Sequence, residues 1–297
     1  MKLAVLALYL LQDTVAFSVG ENKKRSELGK LHVAASPQGT NFGPPAFGQQ
    51  DAGALAPGGP QLGGSSMLWP VQDLWDGAKE IKVHGDTLRT LSLPKRVDNV
   101  HAMLKSDGRP IISKFELWQG PDYTPWELEV YSEDGILRPV NVGIATPKRE
   151  NAVAIRNIAN MEFPFDAFIR VDNSLGDVRK QVSDTGTTNL IQGGALRSYP
   201  LPEDVESVQI LLKTDGRHLK AKVELLQGPN NKKQVFDVYA SDGSYRPLHI
   251  VVDTPGAGNM VRIVNKYTME FPLLATVQPL AIKSNKGPIR PDGANVI

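Results

Sequence analysis

The sequence predicts an all-β protein made of two tandem, homologous, β-sandwich-like domains of antiparallel strands. Three observations support this fold class: a long internal repeat, short segments in which apolar and polar residues alternate, and Asp-Gly pairs between those segments. Alternation with a period of two is typical of strands with one buried face, and Asp-Gly is typical of tight turns.

The internal repeat is the strongest signal. The motif Glu-Leu-x-Gln-Gly-Pro occupies 116–121 and again 224–229, an offset of 224 − 116 = 108 residues. The same offset relates the motifs that begin at Leu104, Arg138 and Met161 to their second copies. From Gly85 to Pro164 no gap is needed, and roughly 34 of these 80 positions are identical in the second copy. A unit of this length matches one domain and exceeds a solenoid repeat, so the sequence predicts an internal duplication.

Within each repeat, the pattern is that of strands. Phe115 and Leu117 alternate with Glu116, and the segments 128–130, 140–144, 235–239 and 248–252 are rich in apolar and β-branched residues. Asp-Gly pairs at 107, 134, 215 and 242 stand between such segments and predict hairpin turns. Gly120-Pro121 and its second copy are expected to end a strand, because proline cannot continue the ladder.

The first part of the chain has the pattern of a targeting segment. Leu3 to Leu11 is an apolar run too short to span a bilayer, and it predicts a signal peptide over residues 1–17, with a buried core segment as the alternative. Residues 18–66 are basic and then rich in Gly and Pro, which predicts a plastid transit peptide and a disordered linker. The Ala16-Phe17 junction resembles the two-part plastid presequence of algae with secondary plastids.

The internal repeat also sets the bounds of the two domains, the linker between them and the C-terminal segment. We expect a first β-sandwich repeat at 67–172, a linker at 173–188, a second repeat at 189–280 and an extended C-terminal arm at 281–297. The arm holds the candidate assembly contacts Pro288, Ile289, Arg290 and Ile297, and spare chain is the alternative.

Composition argues against several classes of function. The net charge of +1 does not favour general nucleic-acid binding, which needs a basic surface, and no membrane span is expected after removal of the presequence. The absence of cysteine excludes disulfides, thiolate metal sites and cysteine nucleophiles. The histidines lack ligand spacing, so the sequence predicts no catalytic, cofactor-binding or metal-binding residues.

Three groups of residues are candidates for a catalytic or ligand-binding role. Glu116 and Glu162 recur in the second repeat, but an outward Glu on an alternating strand is ordinary. The Lys105–Arg109 segment is expected to be a solvated hairpin rather than an anion site. Trp118 and Trp126, which lie near Tyr123, predict core or interface packing and are further candidate assembly contacts; a sugar-binding platform is the alternative.

Taken together, the presequence and the paired motifs resemble the pyrenoid shell proteins of diatoms and related algae. The resemblance covers roughly residues 70–297 and implies two similar sandwiches related by a pseudo-two-fold axis. It also implies a non-enzymatic structural protein of the plastid stroma at the pyrenoid periphery. Such a protein assembles with itself into a sheet around the Rubisco matrix, with Rubisco or its matrix as a further partner, and supports CO2 concentration and fixation. The alternative is a plastid tandem β-sandwich that binds a carbohydrate or another ligand.

Overall fold

The computed structural model describes residues 80–147 and 149–283, together with the short strand at 16–17. Within these residues the chain forms seventeen strands and one helix. The all-β prediction is therefore confirmed. Both halves of the repeat belong to one compact unit.

The first half contributes eight strands, preceded by the two-residue strand β1. Their bounds are β1 Ala16–Phe17, β2 Ile81–Val83, β3 Leu88–Leu93, β4 Asn99–Lys105, β5 Ile111–Trp118, β6 Trp126–Ser132, β7 Val140–Ala145, β8 Asn151–Asn157 and β9 Phe165–Val171.

The second half begins after a helix and contributes eight further strands. The bounds are α1 Leu175–Thr185, β10 Thr188–Ile191, β11 Leu196–Pro200, β12 Val205–Lys213, β13 Leu219–Gln227, β14 Lys232–Ala240, β15 Leu248–Asp253, β16 Asn259–Asn265 and β17 Leu273–Ile282.

These strands form two sheets that each run through both halves. Sheet I has the order β1-β3-β8-β5-β6-β14-β13-β16-β11, and sheet II has the order β10-β17-β12-β15-β7-β4-β9-β2. All pairings are antiparallel except the short parallel contact of β1 with β3. The two halves therefore join edge to edge into one continuous double layer, where the sequence alone suggested two sandwiches in a row.

Strand order is the same in both halves, and the halves meet at equivalent positions. In sheet I, β6 pairs with β14 so that Glu129 faces Asp237, 108 residues later. In sheet II, β7 pairs with β15 so that Val142 faces Ile250, again 108 residues later. In each sheet the junction is thus centred on one residue that faces its own counterpart, which is the register that a pseudo-two-fold arrangement requires. Descent of the halves from one duplicated domain stays an inference from the sequence.

The core fills the space between the two sheets. Its largest fully buried side chains include Phe115, Trp126, Phe165 and Phe236, which come from both halves. Strand β5 alternates strictly between buried and half-buried residues, as its sequence predicts. Burial of these large side chains supplies the main favourable term for folding.

The Asp-Gly turns were predicted as hairpins, and this prediction is wrong. Each one connects a strand of one sheet to a strand of the other, so the flanking strands do not pair. The physical reason is visible at Gly135, where a Cβ atom would lie 2.3 Å from Oγ of Ser106 in the neighbouring Asp-Gly connection. The glycine is therefore needed because two crossing connections pack against each other. The hairpins of each half lie instead at the Gly-Pro turns, between β5 and β6 and between β13 and β14.

The segment between the halves contains an element that the sequence analysis missed. Helix α1 spans Leu175–Thr185 inside the expected linker and buries Leu175, Arg179 and Val182. It contacts β4, β12 and β17 on the side of sheet II that faces away from the core. The spacing of its buried residues, four and then three, was present in the sequence and is typical of a helix.

At the other end, the last strand runs two residues into the expected arm. Ala281 pairs with Ser207 and Ile282 pairs with Val205. The rest of the arm after Lys283, with Pro288, Ile289, Arg290 and Ile297, lies outside the described residues, as do the signal and transit segments apart from Ala16–Phe17.

We predict that residues 1–64 are dispensable for folding. The sandwich core is built from strands β2 to β17, and the segment before them contributes only the short β1 contact to the described fold. The measurement is the melting temperature of the full chain against that of a chain beginning at Met67. A drop of more than a few degrees in the shorter chain would show that the segment packs on the body.

Candidate assembly surfaces

Reciprocal hydrogen bonds across the junction explain two of the repeated motifs. Arg138 of the first Arg-Pro pair donates from Nη2 to Oε1 of Gln227 over 3.0 Å, and Arg246 donates in the same way to Gln119 over 3.0 Å. Both arginines are buried. The Arg-Pro motif of each half therefore binds the glutamine of the Glu-Leu-x-Gln-Gly-Pro motif in the opposite half. The recurrence of both motifs maintains the junction.

The outer face of sheet I is open and carries alternating charges. Lys114 bridges Glu116 and Glu127 with N–O distances of 2.9 and 2.8 Å. Across the junction, Lys222 and Lys266 pair with Asp237 at 3.7 and 2.7 Å. These ion pairs offset the electrostatic repulsion between the carboxylates of Asp237 and Glu129, which face each other on neighbouring strands.

Glu224 on this face departs from the expectation of an ordinary outward Glu. Its side chain is 4% exposed, and it accepts from Arg262 at 2.6 Å and from Lys232 at 2.8 Å. Burial acts to raise the pKa of Glu224, but hydrogen bonds from Lys232 and Arg262 outweigh it and lower the pKa. Its counterpart Glu116 is 16% exposed.

We predict that Glu224→Gln lowers the free energy of unfolding by about 2 kcal/mol, because it leaves Arg262 beside an uncharged partner in a largely buried site. The matched control is Glu116→Gln, for which the more exposed site predicts a loss below about 1 kcal/mol. Urea unfolding at neutral pH measures both. Equal losses in the two variants would contradict the account.

Each half also presents the same exposed turn at the end away from the junction. Met161 and Met269 of the Met-Glu-Phe-Pro motifs are both 79% exposed, the largest exposure among the apolar side chains of the described residues. We call residues 160–164 and 268–272 the end turns. Because Met161 and Met269 occupy the same place in both halves, the molecule carries one exposed thioether at each end.

The end turns are held rigidly. Arg109 donates from Nη1 to the carbonyl of Glu162, and Arg217 donates from Nη1 to the carbonyl of Glu270 over 2.6 Å. The Lys105–Arg109 segment is thus a brace for the neighbouring turn, where the sequence suggested only a solvated hairpin. On the other side, the backbone of Gly85 lies so close that a Cβ atom would be 2.1 Å from the carbonyl oxygen of Asn160.

Open edge strands flank both end turns. Within the described residues, sheet II ends at β2 and β10, and sheet I ends at β11 and at β1, the two-residue strand that pairs with β3. Edge strands display unpaired N–H and C=O groups that can pair with another chain. Leu190 of β10 and Leu196 of β11 add exposed apolar side chains to the edge strands of the second half.

A buried polar cluster lies beneath α1. His101 of β4 and His249 of β15 both pair with Gly143 of β7, so three adjacent strands bring two imidazoles together. Their exposures are 2% and 0%. Arg179 of α1 lies over the same face and donates to Oδ1 of Asn99 over 2.5 Å.

Burial sets the charge state of these imidazoles. Burial, helped by the charge of Arg170, lowers the pKa of His101 to about 4. Burial, together with Arg179 and His101, lowers the pKa of His249 to about 3. Both side chains are therefore neutral at physiological pH. The sequence did not predict that His101 and His249 lie close together, because they are far apart along the chain and are not related by the 108-residue offset.

The tryptophans proposed as assembly contacts differ in position. Trp126 is fully buried in the core, which makes its indole inaccessible to a partner and prevents an aromatic platform with Trp118. Trp118 is half-buried on the open face, where its Nε1 donates to Oε2 of Glu116 over 3.0 Å.

A family comparison matches the sequence directly. The model of the diatom pyrenoid shell protein family matches residues 75–279, which covers more than half of the chain and nearly all of the double layer. The chain belongs to the diatom pyrenoid shell protein family. No curated protein matches the sequence. The family is named for a shell protein of the pyrenoid, a plastid compartment, so a structural role and a pyrenoid location follow at that level.

In residues 80–147 and 149–283, no group of His, Asp and Glu side chains is placed to hold a metal ion. No helix in that part of the chain is long and apolar enough to cross a membrane.

Proposed function

We propose that this member of the diatom pyrenoid shell protein family is a structural protein that assembles laterally with copies of itself. The product is a thin sheet around the Rubisco matrix of the pyrenoid, in the plastid stroma, and it supports CO2 concentration and fixation. The role is architectural rather than catalytic. Membership of the family supports the shell role, and the surfaces of the molecule supply a physical route to the sheet.

The observation that carries the proposal is the pair of equivalent ends. Each end combines a braced turn, an exposed methionine and open edge strands, and the two ends lie on opposite sides of the junction. A subunit with contact surfaces at two ends adds further subunits at both. Contacts that do not close on themselves propagate into an extended assembly.

Charge balance supports close packing of the subunits. The net charge is +1, and acidic and basic side chains alternate on the open face of sheet I. A chain with little net charge pays little electrostatic repulsion when many copies pack side by side.

Removal of the presequence fits this scheme. The cleavage expected at Ala16-Phe17 falls in β1, the strand that covers β3. Loss of β1 would leave β3 as an open edge equivalent to β11. Each end of the mature chain would then present an open edge strand of sheet I to another copy.

Negative-stain electron microscopy of the purified mature chain, beginning at Met67, tests the proposal. We expect sheets or tubes above a threshold concentration, and cosedimentation with Rubisco tests whether the matrix is contacted. A monodisperse monomer at all concentrations that binds glycans would overturn the structural proposal and favour a carbohydrate-binding protein.

A further inference from the structure

An open cleft lies at one side of the junction between the two halves. Its volume is about 450 Å³, and its walls include Leu137 and Arg138 of the first half with Gln227, Lys233 and Pro255 of the second. Leu137 is about half exposed. The cleft is therefore a concave surface with both apolar and charged walls.

The counterpart on the other side of the pseudo-two-fold axis holds a tyrosine. There Tyr123 bonds through its hydroxyl to Oγ of Ser241 over 3.0 Å. The position equivalent to Tyr123 in the second half is Asn231, since Gln119 N donates to the Tyr123 carbonyl and Gln227 N donates to the Asn231 carbonyl. Asn231 has a shorter side chain than Tyr123, and the counterpart of Ser241 is Glu133 of the cleft wall, so a tyrosine at position 231 would reach towards the cleft.

The charges of the cleft are mixed. Lys233 pairs with Glu133 at 2.6 Å, and Asp134 accepts backbone N–H groups of Ile136 and Leu137 through Oδ1. An occupant that suits these walls is an extended peptide with an apolar side chain for Leu137 and Pro255 and a cation for the carboxylates of Glu133 and Asp134.

The chain itself contains such a peptide in residues 284–297, and the last described residue before it lies on the same side of the fold as the cleft. The last described residue, Lys283, donates its N–H to the carbonyl of Asp204 over 2.7 Å. Beside it, Thr254 bonds to the carbonyls of Val205 and Glu206 and directly precedes Pro255 of the cleft wall. Residues 284–297 follow, and fourteen residues extend at most about 50 Å, which is enough to reach a neighbouring molecule.

We propose that the junction cleft of one copy binds the segment Pro288-Ile289-Arg290-Pro291 of a second copy. Ile289 packs against Leu137 and Pro255, and Arg290 pairs with the carboxylates of Glu133 and Asp134. The two prolines favour an extended conformation before binding, which lowers the entropy lost on docking. This inference rests on the proposed self-assembly, for which it names one contact.

The asymmetry of the junction gives the contact a direction. Tyr123 reaches Ser241 on the counterpart side, whereas the cleft side has Asn231, so the two sides differ in this side chain, and the segment occurs once in the sequence. A subunit then donates one segment and receives one, and the contact propagates instead of closing into a dimer where the donor and the acceptor are different neighbours.

The test uses a synthetic peptide of residues 284–297 and the mature chain shortened after Lys283, which retains strands β2 to β17. We expect the peptide to bind the shortened chain, and Asn231→Tyr, which places an aromatic ring where the counterpart has Tyr123, to weaken binding at least tenfold. In the unshortened chain, Asn231→Tyr should raise the assembly threshold at least tenfold. The control is Asn230→Gly, at the residue before Asn231. Asn230 has a positive φ that glycine adopts without strain, so this variant should leave both values unchanged.

The remaining outcomes separate the two proposals. Peptide binding that Asn231→Tyr does not weaken, or sheets that form at the normal threshold without the tail, would overturn the cleft contact and leave self-assembly standing. A photo-cross-linker at Ile289 that joins the tail to the cleft of its own chain would overturn the second copy as the occupant. Failure of the unmodified chain to assemble at all would overturn the proposed function, whether or not the peptide binds.

Discussion

Acidification from pH 7.5 to pH 4 is expected to destabilise the fold by several kcal/mol through His101 and His249. Burial lowers their pKa values to about 4 and about 3, whereas both titrate near 6.5 when unfolded. The unfolded chain therefore binds more protons as the pH falls below 6.5. Stability is full above that value and is lost towards the folded pKa values, by roughly 3 kcal/mol for each imidazole at pH 4.

Asp253 opposes part of this effect. Burial raises its pKa to about 6, against a small lowering by Arg138. Its protonation stabilises the folded chain as the pH falls through 6, by roughly 2 kcal/mol at pH 4. The net expectation is a loss, because two imidazoles outweigh one carboxyl.

Residues at the repeat offset supply natural replacements for the test. The counterparts of His101 and His249 are Gln209 and Asn141, so we choose His101→Gln and His249→Asn. Urea unfolding between pH 7.5 and 4 should show a smaller pH dependence in both variants than in the unmodified chain. His84→Gln at an exposed position is the control and should keep the original pH dependence. An unchanged pH dependence in all three variants would contradict the buried-imidazole account.

The double substitution Met161→Glu and Met269→Glu is expected to raise the assembly threshold roughly 100-fold or more. If each thioether is buried at a contact, its burial contributes about 1.5–3 kcal/mol, and each 1.4 kcal/mol is a factor of ten. Glutamate removes that gain and adds like charges at both ends. Light scattering against protein concentration measures the threshold, and circular dichroism checks that the β-structure is kept.

Two matched variants isolate the role of the ends. Met161→Leu with Met269→Leu keeps the apolar surface and should assemble as the unmodified chain does. Tyr245→Glu introduces one glutamate per chain, against two in the methionine variant, at an exposed position between β14 and β15 that is 67% accessible and outside the end turns, and it should change the threshold little. A threshold that responds equally to Tyr245→Glu and to the methionine variant would show that charge alone, and not contact at the ends, controls assembly.

Strand content was predictable because it depends on local pattern. The alternation of Phe115 and Leu117 with Glu116 specifies one buried face, and β5 shows it. The common offset of the motifs also predicted two similar halves, and the structure gives them the same strand order. Information of this kind resides in residues close in sequence or related by a fixed spacing.

The features that sequence reasoning missed depend on how the sheets come together. Asp134-Gly135 has the local pattern of a hairpin, yet its glycine is needed for the close approach of Ser106 from a second connection. His101 and His249 meet only because β7 separates their strands with Gly143. Neither contact has a signature within a single segment, so no periodicity in the sequence could have shown it.

Cysteine cross-linking tests the central claim, that copies meet through their two ends, most directly. The chain has no cysteine, so Met161→Cys with Met269→Cys introduces the only thiols, and a disulfide forms only where Cα atoms come within about 7 Å. After mild oxidation of the assembled protein, a denaturing gel should show a ladder of dimers, trimers and longer chains, whereas Tyr245→Cys should give monomers. Monomers alone from the double variant, in a sample that electron microscopy shows to be assembled into sheets, would contradict contact through the end turns.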